Sequence, residues 1–286
     1  MGDLYDDFHA RFQVLFGDDD AVRDQAHQLR YQVYCRERGH DSEVVVVNNR
    51  ERDEFDPDSM HIVVRDRRDG FDKGTVRVVT AGADRLGRFP IEHTYPTLLS
   101  DYGIDEDVLP RAKTAEISRF AISKELRERA GDRSRSERSE RSERRSDRRA
   151  ERGADRLDTR QRSLPGGAAN RRPMVTFGLF LGLAQLGAEN DFTHCIAVMK
   201  PSLLRMLARF GLKFTTIGPP IEYHGLRQPC YANVSELVRG VTTRNPDLWR
   251  LMSDNERLLS SVTSQTSQAA NWDEYSLRSH ARPSAV

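Results

Sequence analysis

The sequence predicts a mixed α/β fold, a sheet flanked by helices, and three observations carry that prediction. Apolar runs of strand length recur at 44–47, 61–65, 75–79, 114–122, 193–199 and 214–217. Segments of helical period lie between or beside them, at 3–16, from Asp18 to Val33, at 173–188 and at 201–210, the order of a chain that alternates strands with helices. The runs at 61–65 and 75–79 are adjacent in sequence across a polar turn, so part of the sheet is a hairpin and the whole is mixed.

Taken in order, Leu4, Tyr5, Phe8, Phe12, Leu15 and Phe16 stand at helical spacing and predict an amphipathic helix over 3–16. Asp18, Asp19 and Asp20 offer N-caps to a second helix, with Val22, Ala26, Leu29 and Val33 on one face. Arg30 and Tyr34 sit at the edge of that stripe. A short apolar run ending at Val47 precedes Asn48, Asn49 and an acidic box containing Glu51, Asp53 and Asp56. Asp56-Pro57-Asp58 marks a turn, so the box reads as a loop feeding the strand 61–65. Arg67 to Gly74 is the hairpin loop that returns the chain along 75–79.

Residues 84–113 are polar and interrupted by Pro90, Pro96 and Pro110, with a helical fragment near Leu98–Tyr102. The strand 114–122 follows, and Ser123 starts a helix. Residues 131–163 are almost entirely Arg, Ser, Glu and Asp and present no apolar face. They predict a disordered charged insertion within a wider low-complexity segment, 127–172. Order resumes at Pro173 with a helix to 188, a strand to Met199, a helix opened by Pro201 and closed by Gly211, and a strand to Ile217. The reading is one domain, 1–126 plus 173–240, with a partly disordered C-terminal extension, 241–286.

Composition narrows the function. Charged residues make up 31% of the chain but the net charge is only +1, which gives no overall drive toward nucleic acid or an anionic membrane. The arginine-rich insertion has most of its charge offset by its own interspersed acids and carries no aromatics for base stacking. The N-terminus is acidic and lacks the basic region and apolar core of a signal peptide, and no segment approaches a membrane span. Cys35, Cys195 and Cys230 form neither ligand spacing nor a disulfide framework, and His194 and His224 are lone histidines, so no metal is expected. A cytoplasmic location fits these cysteines.

The strand 114–122 carries the chemistry. Ala115, Ile117, Phe120 and Ile122 make it apolar, yet it holds Glu116 and Arg119, which are costly to bury unless paired. Arg77 stands inside another apolar strand, and the acidic box lies upstream. Ionisable groups set into apolar strands mark a shared functional cluster; an internal ion-pair network is the alternative. Glu116 and Arg119 are three apart, so a regular strand would point them to opposite faces. A bulge near Ser118 would put both on one cleft.

In order and spacing, Arg30 with Tyr34, the Glu51-x-Asp53-x-x-Asp56 box, Arg77 and Glu116-x-Ser118-Arg119-Phe120 resemble the acyl-homoserine-lactone synthases. The later stretches, Ala197 to Arg205 and Ile221 to Cys230, resemble the exosortase (PEP-CTERM) system-associated acyltransferases near the N-acyl amino acid synthases. The resemblance implies a GNAT-like fold with no tightly bound cofactor. Its donor substrate is the acyl-phosphopantetheine of an acyl carrier protein, or acyl-CoA, and its acceptor a small amine or amino acid attacked directly. It implies Glu116 as general base with Asp53 and Asp56 orienting the cationic amine. Arg30, Tyr34, Glu51, Arg77, Ser118, Arg119 and Phe120 would shape the substrate site, and backbone N–H groups near Arg119 and Phe120 the oxyanion site. His40 stands where those lactone synthases carry tryptophan, which moves the acceptor away from S-adenosylmethionine. After Arg127 there is one glycine, Gly131, in place of a glycine-rich pyrophosphate turn, which favours a carrier protein over free CoA. The alternatives are a lactone synthase using S-adenosylmethionine and a non-catalytic acyl-carrier-binding module of the exosortase system.

Overall fold

The computed structural model describes residues 3–37, 45–81, 87–124, 171–223 and 225–258. The charged insertion, the helix expected to continue beyond Lys124, His40 and His224 lie outside them. The first helix, α1, runs Leu4–His9 and is capped by Asp3, whose carboxylate accepts the Tyr5 N–H at 3.1 Å. The expected helix over 3–16 stops there, because Phe12–Gly17 is a strand, β1. From Phe12 onward the apolar residues also fit an alternating pattern, and pairing to the sheet decides between the two periods. β1 runs antiparallel to β4, Ser59–Asp66, from Phe12 opposite Asp66 to Gly17 opposite His61.

Helix α2, Asp20–Tyr31, begins as expected: Asp19 accepts the Ala21 and Val22 N–H groups at 2.9 Å, and Val22, Ala26 and Leu29 are buried. It widens into a π turn, Gln32–Arg36, that buries Val33 and carries Tyr34. The acidic box is more structured than a loop. β2, Val45–Val47, and β3, Arg50–Arg52, form a ribbon around Asn48 and Asn49, whose φ of 52° and 60° suit a tight hairpin turn. Glu51 therefore stands on a strand, and Asp56 opens a 3-10 turn, Asp56–Asp58.

The hairpin of β4 and β5, Asp72–Thr80, follows as expected. In the segment read as irregular, Pro90 sits in the first turn of α3, Pro90–Thr94, and α4 spans Leu98–Asp101. Their Phe89, Ile91, Leu98 and Leu99 bury into a second apolar cluster with Ile196 and Ile217. The remaining strands are β6, Thr114–Ile122; β7, His194–Met199; β8, Thr215–Thr216; β9, Ile221–Glu222; and β10, Leu226–Asn233. The sheet order is β1-β4-β5-β6-β7-β10-β8, with β9 on β10. β6 and β7 are parallel, and their pairing ends at Ile117 opposite Ala197.

Helix α5, Arg171–Glu189, crosses from β6 to β7 and lies against β1, β4 and β5. It comes close because a Cβ at Gly178 would sit 2.6 Å from Phe8 Cζ, and one at Gly182 2.5 Å from Ile62 Cγ2. Three further helices complete this layer: α6, Pro201–Arg209; α7, Val234–Arg244; and α8, Pro246–Met252. Val241, Leu248, Trp249, Leu251 and Met252 belong to the main core with Phe8, Phe12 and Phe177. Ordered structure thus runs on past 240, where the sequence turns polar.

Candidate active site

The site is built at the point where β6 parts from β7. Ser118 pairs with Arg77 and Ala121 with Thr75, so three steps on β6 match two on β5. The extra residue is a bulge, and Arg119 in it has φ +53°, a left-handed conformation that is strained for a side chain with a Cβ. The bulge stands where the spacing places it, near Ser118, and Arg119 lines the cavity in front of it, whereas Glu116 does not. Tyr34 donates from its hydroxyl to the Phe120 carbonyl at 3.4 Å, which ties the π turn to the bulged backbone.

Behind the bulge the sequence-predicted charges meet. Arg30 donates to Glu51 and, at 2.5 Å, to Asp56 Oδ1. Arg77 donates to Asp53, to Asp56 Oδ1 at 2.8 Å and to Ser118 Oγ at 3.1 Å. Arg119 reaches Asp53 Oδ2 at 2.7 Å and Glu51 Oε1 at 3.2 Å. The set is graded by depth. Side chains of Arg30, Arg77, Glu51 and Asp56 are 0–3% exposed, whereas those of Asp53 and Arg119 are 20% exposed. The inner members are a buried ion-pair core that fixes the outer pair in position, and of them Glu51 borders the cavity. Arg30 and Arg77 hold these carboxylates in place, as expected of them, and are themselves buried.

Protonation follows the charged neighbours rather than the depth. Burial disfavours the Asp56 carboxylate, but His27 at 3.3 Å, the Arg30 hydrogen bond and the nearby Arg77 hold it well below the usual range. Asp53, also opposed by burial, is lowered by Arg77 and Arg119. Glu116 behaves oppositely. It is 3% exposed, and burial pushes it up to about 7, while the Ile91 N–H and the Arg77 and Arg119 charges pull the other way. The Ile91 N–H donates to Glu116 Oε2 at 2.9 Å. Glu116 itself does not line the cavity that its neighbours Ala115, Ile117 and Ser118 line, but a carboxyl poised near neutrality is equipped for general acid–base work.

His27, Asp56 and His61, all buried, have ligand atoms within 4.8 Å of one another. Asp56 is already the counter-ion of Arg30 and Arg77, so a divalent cation here would meet two guanidiniums at close range. His61, pushed down to about 3 by burial, is neutral. The trio is best read as internal support for Asp56.

In front of the bulge lies a cavity of about 720 Å³, within the range of ligand sites. Glu51, Tyr34, Ser118, Arg119, Tyr223 and Arg227 give it a polar part. The remainder is apolar, lined from α5 by Phe180, Leu183 and Ala184, from α6 by Leu203 and Met206, and from α8 by Trp249 and Met252. Small residues on the sheet, Ala115, Cys195 and Ala197, also line it. Sequence reasoning missed Tyr223, although it lies in a stretch with family resemblance; its signal was an aromatic just ahead of the Gly225 turn. It missed Trp249 and Met252 because their helix follows the polar stretch after Gly240.

Residues 29–135 match the acetyltransferase (GNAT) domain family. No curated protein matches the chain. Among solved structures, TofI in a ternary complex with an inhibitor and MTA is similar at TM-score 0.52 and 17% identity, over 82% of this chain and 99% of its own. BjaI, a CoA-dependent acyl-homoserine lactone synthase with SAM and isopentyl-CoA, is similar at TM-score 0.51 and 13% identity, over 85% and 88%. FeeM, an N-acyl amino acid synthase from uncultured soil microbes, is less alike, at TM-score 0.48 and 14% identity, over 80% and 94%. At these identities the likeness is one of fold, and the fold is GNAT-like. With the acetyltransferase match spanning the acidic box and the bulged strand, the chain is an enzyme of the acyltransferase class.

Proposed function

We propose that this protein is an N-acyltransferase that moves a fatty acyl group from a thioester to the amine of an amino acid or related small acceptor. The observation that carries the reading is the apolar cavity opening at the bulge, with polar groups where β6 and the β9–β10 arm face it and room for a chain between sheet and helices. Each buried methylene contributes about 0.8 kcal/mol, so such a cavity selects a donor by its acyl chain. Glu116 takes the amine proton, directly or through one water, and its position near neutral pKa suits that task. Asp53, on the open side of the network, attracts the cationic amine, and Arg119 holds Asp53 in place. Asp56 acts at one remove, by fixing Arg77 and the backbone N–H of Asp53. The nitrogen attacks the thioester carbon, the C–S bond breaks, and N–H groups around Arg119 and Phe120 stabilise the oxyanion.

The donor we favour is an acyl carrier protein presenting its phosphopantetheine arm, because the single Gly131 after Arg127 is a poor pyrophosphate turn. The exosortase-associated assignment rests on Ala197 to Arg205 and Ile221 to Cys230. We read the protein as cytoplasmic; no helix among the described residues is long and apolar enough to cross a membrane. The test incubates the protein with amino acids and related amines and with acyl-carrier-protein or acyl-CoA donors of matched chain length, and reads N-acyl products by mass spectrometry. Transfer with a higher kcat/KM for the carrier protein is expected. A preference for acyl-CoA overturns the donor, and no product from any thioester overturns the reading.

A further inference from the structure

We infer that Tyr223 is a side-chain hydrogen-bond donor to the oxyanion of the acyl-transfer step, acting across the cleft from the bulged strand. The inference rests on the acyltransferase reading and adds to it a catalytic residue from the opposite arm of the sheet. Tyr223 follows β9, and β9 pairs with β10, which lies beyond β7. The bulge belongs to β6, on the other side of the β6–β7 parting. Yet Tyr223, Ser118 and Arg119 line one cavity, so the phenol and the bulge face the same space.

The phenol is held for this task. The Tyr223 N–H donates to the Gly225 carbonyl at 3.1 Å, closing a tight turn in which Gly225 has φ +88°. The Glu222 carboxylate accepts the Gly225 N–H at 2.8 Å, and the Glu222 carbonyl accepts the Tyr95 hydroxyl at 2.6 Å. The ring packs against the second apolar cluster, which contains Ile196 and Ile217. Burial raises the phenol above its ordinary range, and Arg119, Glu116, Arg77 and Asp53 are the charges that bear on it. Such a phenol keeps its proton at neutral pH and donates a hydrogen bond. It is too weak an acid to be needed by a departing thiolate, whose own affinity for a proton is lower. The oxyanion of the tetrahedral adduct is the more basic partner and gains most from a fixed donor. In the step itself the C–N bond forms, the carbonyl electrons move onto oxygen under the Tyr223 hydrogen bond, and they return as the C–S bond breaks. Tyr223 ends as it began.

Tyr223→Phe keeps the ring and removes only the donor. We expect kcat to fall about 100- to 1,000-fold with KM little changed. A trifluoromethyl-ketone analogue of the donor, which forms a tetrahedral adduct, should bind the variant far more weakly than the wild type. A saturated thioether analogue should bind both alike. Fluorotyrosines at 223 should give rates graded with phenol acidity, which a packing role would leave flat. Full kcat in Tyr223→Phe, or equal loss of both analogues, overturns the inference. Wild-type protein that transfers no acyl group sinks the parent reading instead, and the two analogues still report on Tyr223 without turnover.

Discussion

Two equally buried carboxylates are asked to do opposite things, and their charged neighbours decide which does what. Glu116 is buried on β6 with a backbone N–H for company and sits up at about 7, whereas Asp56 is buried between arginines and sits far below the usual range. Activity that depends on ionised Glu116 should rise with pH through about 7 in a kcat/KM profile. The same shift opposes stability: the folded protein binds more protons than the unfolded chain between the ordinary glutamate value, about 4.3, and that of the buried group. Glu116 therefore costs stability as pH rises through this window. Glu116→Gln should lower kcat at least about 100-fold while melting no lower than wild type at pH 8; a fully active variant would remove Glu116 as the base. Asp56→Asn leaves Arg30 and Arg77 short of their anion and should cost about 3–5 kcal/mol in denaturant unfolding. Asp53→Asn, at the open edge, should cost activity more than stability. The charges themselves were legible, since glutamate and arginine inside apolar strands announce a cluster. Their partners were not, because sequence spacing does not say which carboxylate ends up between two guanidiniums.

At the scale of the element, the bulge is the device on which the site depends, and it was legible from one spacing: residues three apart cannot share a face of a regular strand. Its strain is local. Arg119 at φ +53° bears a conformation that glycine adopts freely. Arg119→Ala and Arg119→Gly both lose the contacts to Asp53 and Glu51, but glycine alone relieves the backbone. We expect Arg119→Gly to be the more stable of the two by about 1 kcal/mol, with both impaired in turnover; the reverse order in denaturant titrations would show that the bulge is not under strain. Other elements were harder to read. Phe12 to Phe16 satisfies both a helical and an alternating pattern, and only its partner β4, far along the chain, settles the matter. Helix α8 is short, and its Leu248, Trp249, Leu251 and Met252 find their reason in packing against α1 and α5 rather than in any local signal.

The whole molecule makes the cavity, and no single element could. The parallel pairing of β6 with β7 ends at Ile117, and the layer of α5 to α8 covers the opening that follows. On the proposed reading, the apolar cavity with polar groups at the parting strands holds the acyl chain of the thioester. Its walls then set chain length, and they can be moved without touching the charged network. Ala184 on α5 and Met206 on α6 both line the chamber and are only partly buried. Ala184→Trp takes volume from the apolar part and should shift the product profile toward shorter chains. Met206→Ala returns volume and should shift it toward longer ones. Each methylene gained or lost is worth about 0.8 kcal/mol, or about fourfold in kcat/KM per carbon. The measurement is competition among thioesters of graded length with the products read by mass spectrometry, at a pH above that at which Glu116 ionises. Opposite shifts in the two variants, with Glu116-dependent pH profiles unchanged, are what an acyl chamber requires. Unchanged chain preference in both would mean that the acyl group lies elsewhere and that this cavity serves another ligand.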